Sequence, residues 1–243
     1  PLIMFYAGRL LNLFTFIFLA YWAIKLAPVF KWGFVLLSLM PMTLFEAASL
    51  SADAICIGIS FLFIAYVLNC ATSKNKKIKK EQIAKLVLLS AILGLCKSSY
   101  IFTILLFFII PQDKFKSKSD YFYSFIALAG TSIFLSALWM TIVKPIYAPI
   151  DSFVKPQAQL LNIFKNPQYF FLALTDSFKN FKIVHSFIGN LGWLDTPLPK
   201  PLTFIYLIVL ILTALTDGAK ESLIKIKQKL VFLMTFLLDY ILI

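Results

Sequence analysis

Polar and apolar residues follow one another in blocks, not in a period of two or of three to four. Apolar runs cover Leu10–Leu26, Trp32–Phe45, Ala54–Ala71, Leu86–Ile110, Tyr123–Val143 and Pro201–Thr216. Most reach or approach the roughly 20 residues that carry an α-helix across a bilayer. The pattern predicts an all-α, polytopic transmembrane helix bundle forming one domain over residues 1–243. Pro1 opens the sequence without a leader pattern, and the apolar end Leu230–Ile243 is too short to span, so we expect a fragment of a longer membrane protein.

Charged residues between the runs fix how they fold. Ser73–Lys85 carries six lysines against one glutamate, Pro111–Phe122 carries Lys114, Lys116 and Lys118, and Gly218–Lys229 carries Lys220, Lys225, Lys227 and Lys229. Lysine-rich short loops stay on the cytoplasmic side. With Leu86–Ile110 as one span, the second and third loops would fall outside. If that run enters and returns as a re-entrant or short helical hairpin, loops 73–85, 111–122 and 218–229 are all cytoplasmic. Cys96-Lys-Ser-Ser-Tyr100 interrupts the run at its middle, just after Gly94, and suits the apex. Arms of about 12 residues would rise roughly 18 Å, past the midplane of a 30 Å core. The connection 144–200 then forms an external loop, and Arg9, Glu46, Asp53 and Lys97 converge on the outer face.

Composition agrees with a membrane as solvent. The chain is 60% hydrophobic and 14% charged, with 26 phenylalanines, well short of the roughly 25% charged share of a soluble domain. Its formal charge of +12 is concentrated in the lysine loops, so it reports orientation and contact with membrane lipids rather than nucleic acid. Cys56, Cys70 and Cys96 sit in or beside apolar runs and read as small hydrophobic residues. No glycine-rich phosphate loop, HExxH or GxSxG motif is present, which excludes the soluble nucleotide enzymes and the hydrolases that those motifs mark.

An acid at membrane depth costs roughly 3 kcal/mol even on lenient insertion scales, so Asp53 is the leading site candidate and the candidate catalytic residue. Ser51 as helix cap, with Asp53 in the first turn, explains the same two residues structurally. Glu46 either meets headgroups and lysines or lines a site. Arg9 and Asn12, three residues apart, share a helix face. The arginine either snorkels to headgroups or holds a phosphate with its forked donors. Lys97 at a hairpin apex would pair with a substrate phosphate or with Asp53. The stretch Asn166–Phe181 suits a helix lying in the interface. His185 is the only histidine, so no histidine pair for a metal exists, and Asp195 is the ligand or metal candidate of its turn.

Four segments, Arg9-Leu-Leu-Asn12, Pro41–Asp53, Gly94-Leu-Cys-Lys97 and Gly192-Trp-Leu-Asp-Thr-Pro-Leu-Pro199, resemble a bacterial family of predicted multispanning membrane proteins of unknown function (DUF2142-like), grouped with the GT-C glycosyltransferases. The resemblance implies transfer of a sugar from a polyprenyl-phosphate donor to an acceptor on the outer membrane face, in cell-envelope glycan synthesis. It implies a catalytic aspartate in a first external loop that this sequence lacks, so the base is not assigned here. Arg9 and Lys97 would hold the donor phosphate, with Asn12 and Glu46 beside them. Asp53 and Asp195 would orient the sugar, the acceptor or a divalent cation. A transporter or a lipid-binding scaffold without catalysis is the alternative, since broken hairpins and cavity charges also serve translocation.

Overall fold

The structure, a computed structural model, describes residues 2–73, 77–96, 98–146, 156–169, 172, 175–176, 182–192, 195–217, 231 and 234–235. It is helical almost throughout. The elements are α1 (Leu2–Leu26), α2 (Lys31–Ser38), α3 (Pro41–Ala47), α4 (Asp53–Thr72), α5 (Lys80–Cys96), a 3-10 helix (Ser98–Ile109) with a short 3-10 turn (Gln112–Lys114), α6 (Lys118–Val143), α7 (Pro156–Lys165), α8 (Lys182–Gly189), strands β1 (Asn190–Leu191) and β2 (Thr196–Pro197), and α9 (Lys200–Asp217). Among the described residues, α1, α4, α6 and α9 are long and apolar enough to cross a membrane.

Helix α4 is the hub. Of its apolar window 56% is buried, against 11% in α1, 17% in α6 and 6% in α9. The outer helices present large apolar side chains such as Leu10, Phe14, Phe134 and Leu212 outward, the surface that acyl chains cover. Hydrocarbon offers no hydrophobic drive to pair helices, so close packing of small residues and interhelical hydrogen bonds must do it. The α1–α4 contact is built that way. Phe16, Leu19, Ala20 and Ala23 face α4 at helical spacing, and meet Ala54, Gly58 and Ala65. Gly58 is required there, since a Cβ would stand 2.8 Å from Leu19 Cδ1.

Helices α1 and α4 run parallel. Arg9 and Asn12 near the start of α1 bond the turn before α4, and Asn69 near the end of α4 donates to Leu26 O at 3.0 Å. The chain between them must therefore cross back. We expected one helix over Trp32–Phe45, whereas the return is made by two short helices, α2 and α3. Pro41 explains the break: it stands at the first position of α3, where its missing N–H is harmless, and it holds Met40 extended (φ −61°, ψ 136°). At the other end of α2, Phe30 adopts φ 58° and gives no side-chain cap. Asp217 from the end of α9 supplies one, its Oδ2 accepting from Trp32 N–H at 2.8 Å. The Tyr206 hydroxyl also donates to Leu36 O, so α9 lies antiparallel to α2.

The hairpin is present, and longer than expected. Ile78 N–H donates to Lys114 O at 2.8 Å, joining the two feet. Its 17-residue rising arm, α5, and its 12-residue returning arm differ in length but match in height. An α-helix climbs 1.5 Å per residue and a 3-10 helix about 2.0 Å, so the arms rise roughly 26 and 24 Å. The main core fills the space between this hairpin, α4 and α6: Phe63, Val67, Leu86, Leu93, Ile104, Phe107 and Leu128 are all at most 1% exposed. At the feet, Phe107, Phe108, Phe115, Tyr121 and Phe125 form an aromatic cluster with centroids 4.5–6.2 Å apart.

The first two basic segments share one end. Lys114 Nζ donates to Cys70 O at 2.8 Å and Ser73 O at 2.7 Å, placing a cation at the C-terminus of α4, and Lys77 Nζ donates to Phe115 O at 2.7 Å. Burial lowers the pKa of Lys114, opposed by Cys70 and Asp113. Leu26, bonded to Asn69, and Asp217, bonded to Trp32, lie at the same end. Loop 218–229 itself lies outside the described residues, as do residues 74–76 of the first loop.

Candidate functional site at the polar end of the bundle

Opposite the lysine segments, the turn between α3 and α4 passes through Ala48, Ser49, Leu50 and Ser51, all with backbone groups that no helix ladder satisfies. Ser49 Oγ donates to Glu46 O at 2.8 Å and accepts from Ser51 N–H at 3.1 Å. The face shared by Arg9 and Asn12 closes on this turn. Arg9 Nε donates to Ala48 O at 2.6 Å, and Asn12 Nδ2 donates to Ser49 O and Ser51 O, both at 2.9 Å. The rest of the guanidinium lies 5.7 Å from the Phe5 ring centroid and 5.8 Å from that of Tyr6, a cation–π setting for the charge.

Asp53 is the first residue of α4 and is exposed. The expected cap is shifted by one residue: Ala52 takes the N-cap position without a side-chain bond, while Ser51 Oγ accepts from Asp53 N–H at 3.1 Å and donates to Asp53 Oδ2 at 3.3 Å. The carboxylate thus sits on the positive end of the α4 dipole. Glu46 lies half-buried in the last turn of α3.

The hairpin tip reaches the same level. Helix α5 rises roughly 26 Å from its foot beside the C-terminus of α4, so its last residue, Cys96, comes level with the first turns of α4. Lys97, and the side chains of Ser98 and Ser99, lie outside the described residues. The connection between α6 and α9 meets α3 through α8 and β1. Within it, β1 and β2 pair antiparallel, Asn190 opposite Pro197 and Leu191 opposite Thr196. Gly192 turns the hairpin at φ 71°, where a Cβ would run into Asp195 Oδ1. His185 Nε2 is 3.0 Å from Leu198 O and ties α8 to the end of β2. Asp195 is exposed, with Thr196 Oγ1 donating to its Oδ1 at 3.3 Å. Trp193 and most of the 166–181 stretch lie outside the described residues.

The structure therefore brings Arg9, Asn12, Glu46 and Asp53 to one end, beside the hairpin tip. Sequence reasoning did not find Ser49, which knits the turn. Among the described residues, no group of three or more His, Cys, Asp and Glu side chains is placed to hold a metal ion.

Parallel α1 and α4, a broken return crossing and a helical hairpin define a multi-pass integral membrane protein in contact with lipid. The chain belongs to the family of predicted membrane proteins DUF2142, whose pattern matches residues 1–243. No curated protein and no solved structure matches it.

Proposed function

We propose that this chain is glycosyltransferase-like, of the GT-C clan and of bacterial origin, moving a sugar from a polyprenyl-phosphate donor to an acceptor on the extracytoplasmic face during cell-envelope synthesis. The observation that carries the reading is the gathering of Arg9, Asn12, Glu46 and Asp53 at the end opposite the lysine segments, level with the hairpin tip. Loops 73–85, 111–122 and 218–229 are then cytoplasmic in a bacterial plasma membrane. Lys97 follows Cys96 directly and supplies the cation for the donor phosphate, offsetting charge that develops on the leaving group. The remaining donors of the half-buried Arg9 guanidinium assist, while its Nε holds the turn. Asp53 and Asp195 orient the sugar, the acceptor or a divalent cation.

Sugar transfer from a polyprenyl-phosphate donor by the full-length protein tests this, with Lys97→Ala and Asp53→Ala each expected to lose activity by an order of magnitude or more. Wild-type rates in both would refute the assignment. A second reading, a transporter or lipid-binding scaffold, is favoured by the α2–α3 break, since interrupted helices line translocation sites. Vesicle uptake or lipid exchange that survives in the absence of any sugar transfer would select it.

A further inference from the structure

Helix α1 carries an open groove of about 660 Å³ on its outward side, lined by Phe14, Thr15, Ile17, Phe18 and Tyr21. Phe14, Ile17, Phe18 and Tyr21 are each more than half exposed. The Thr15 hydroxyl is spent on Leu11 O at 2.8 Å, so between Phe14 and Phe18 the described lining offers hydrocarbon alone. A sugar or a peptide backbone would lose its hydrogen bonds to water there, whereas an alkyl chain loses none.

The groove ends at a cation. Phe14, Phe18, Tyr21, Trp22 and Lys25 recur at steps of three and four and share one helix face. Lys25, in the last turn of α1, lies back over that face, its Nζ 4.8 Å from the Trp22 ring centroid and 5.6 Å from that of Tyr21. Trp22 in turn meets Phe18 and Tyr21 edge to face, at 6.3 and 6.0 Å. No acidic residue precedes Glu46 in the sequence, and among the described residues Lys25 makes no ion pair. The other outer crossings differ at this end: α6 carries Asp120 in its first turn, and α9 finishes on Asp217.

We propose that this face of α1 binds one anionic phospholipid of the leaflet at the lysine end, with an acyl chain in the groove and the phosphate on Lys25. The rings of Tyr21 and Trp22 hold the ammonium at headgroup level, where such residues concentrate. A lysine at an anionic surface favours it about fivefold, a preference that the carboxylates of α6 and α9 offset on their own helices. The site does not depend on the sugar chemistry.

The test keeps Trp22 as the single tryptophan of the full chain, through Trp32→Phe, Trp139→Phe and Trp193→Phe. Vesicles contain brominated phosphatidylglycerol or brominated phosphatidylcholine at equal mole fraction, and bromine quenches an indole only at close range. Phosphatidylglycerol should associate about fivefold more strongly at Trp22. The ratio should fall to near one in Lys25→Gln and hold in Lys118→Gln, which removes the same charge from α6. In the chain with all its tryptophans, native mass spectrometry from mixed micelles should retain phosphatidylglycerol, and Lys25→Gln should lose it. A ratio of one in the single-tryptophan parent, a ratio kept in Lys25→Gln, or an equal fall in Lys118→Gln would each overturn the proposal. So would Trp22 fluorescence indifferent to both lipids, the sign of a face covered by protein, or no lipid retained in the spectrometer.

Discussion

Gly94→Ala is the sharpest perturbation of this bundle. Helices α5 and α6 run side by side at Gly94 and Ser132, where the Gly94 backbone meets both the side chain and the backbone of Ser132. A Cβ on Gly94 would run into Ser132 Oγ and stand 2.5 Å from Ser132 O, a carbonyl that cannot swing away. The helices would have to part by about 1 Å, and overpacking of this kind costs about 1–3 kcal/mol. Separation also threatens the bond from Ser90 Oγ to Leu128 O, 3.2 Å long and one turn away, and interhelical bonds in membranes contribute roughly 0.6–1.7 kcal/mol. We expect a loss of about 2–3 kcal/mol, measured by unfolding in mixed detergent micelles. Gly130, on the same helix α6, has nothing within 4 Å of its Cβ position, so Gly130→Ala should be neutral or gain up to about 1 kcal/mol. Adding Ser132→Gly to Gly94→Ala removes the hydroxyl but leaves the carbonyl, so only part of the loss returns. Equal stability of Gly94→Ala and wild type, or an equal loss in Gly130→Ala, would refute the close approach.

Three further outcomes follow from single contacts. Asn69→Leu removes the bond to Leu26 O that closes the α1–α4 pair at the lysine end, and should cost roughly 1 kcal/mol in the same unfolding assay. Asn12→Leu frees the carbonyls of Ser49 and Ser51 together, so amide exchange over 48–53 should rise at least tenfold while exchange in α6 is unchanged. Lys114→Met withdraws the cation from Cys70 O and Ser73 O. Hydrogen bonds to charged groups contribute about 1.5–3 kcal/mol, so the last turn of α4 should fray and trypsin should cut the 74–80 segment faster.

What the sequence carried was set by which interactions leave a mark on residue type. Crossing lengths are written in the apolar runs: Ala54–Ala71 became Asp53–Thr72, and Pro201–Thr216 became Lys200–Asp217. The hairpin was legible because the lysines count crossings. Its 3-10 return arm was not, since Ile101–Ile110 is apolar at almost every position and shows no period that separates three residues per turn from 3.6. The break in the second crossing is announced by Pro41, a signal that the length of the apolar run outweighed. For Arg9 and Asn12 the shared face could be read, but their partners are backbone carbonyls of residues 48–51, which have no residue-type signature. The parallel pairing of α1 and α4 rests on small residues spread over both helices, whose meeting depends on the whole bundle.

That parallel pairing has a consequence for how the protein is made. Helix α1 is complete at Leu26, but its partner is complete only at Thr72, roughly 46 residues or about 2–9 s later at ordinary rates of synthesis. During that interval the stripe Phe16, Leu19, Ala20 and Ala23 faces acyl chains, and the broken helices α2 and α3 must cross before it can be covered. Helix α1 is thus held in reserve, and its inner stripe is sealed only when α4 arrives.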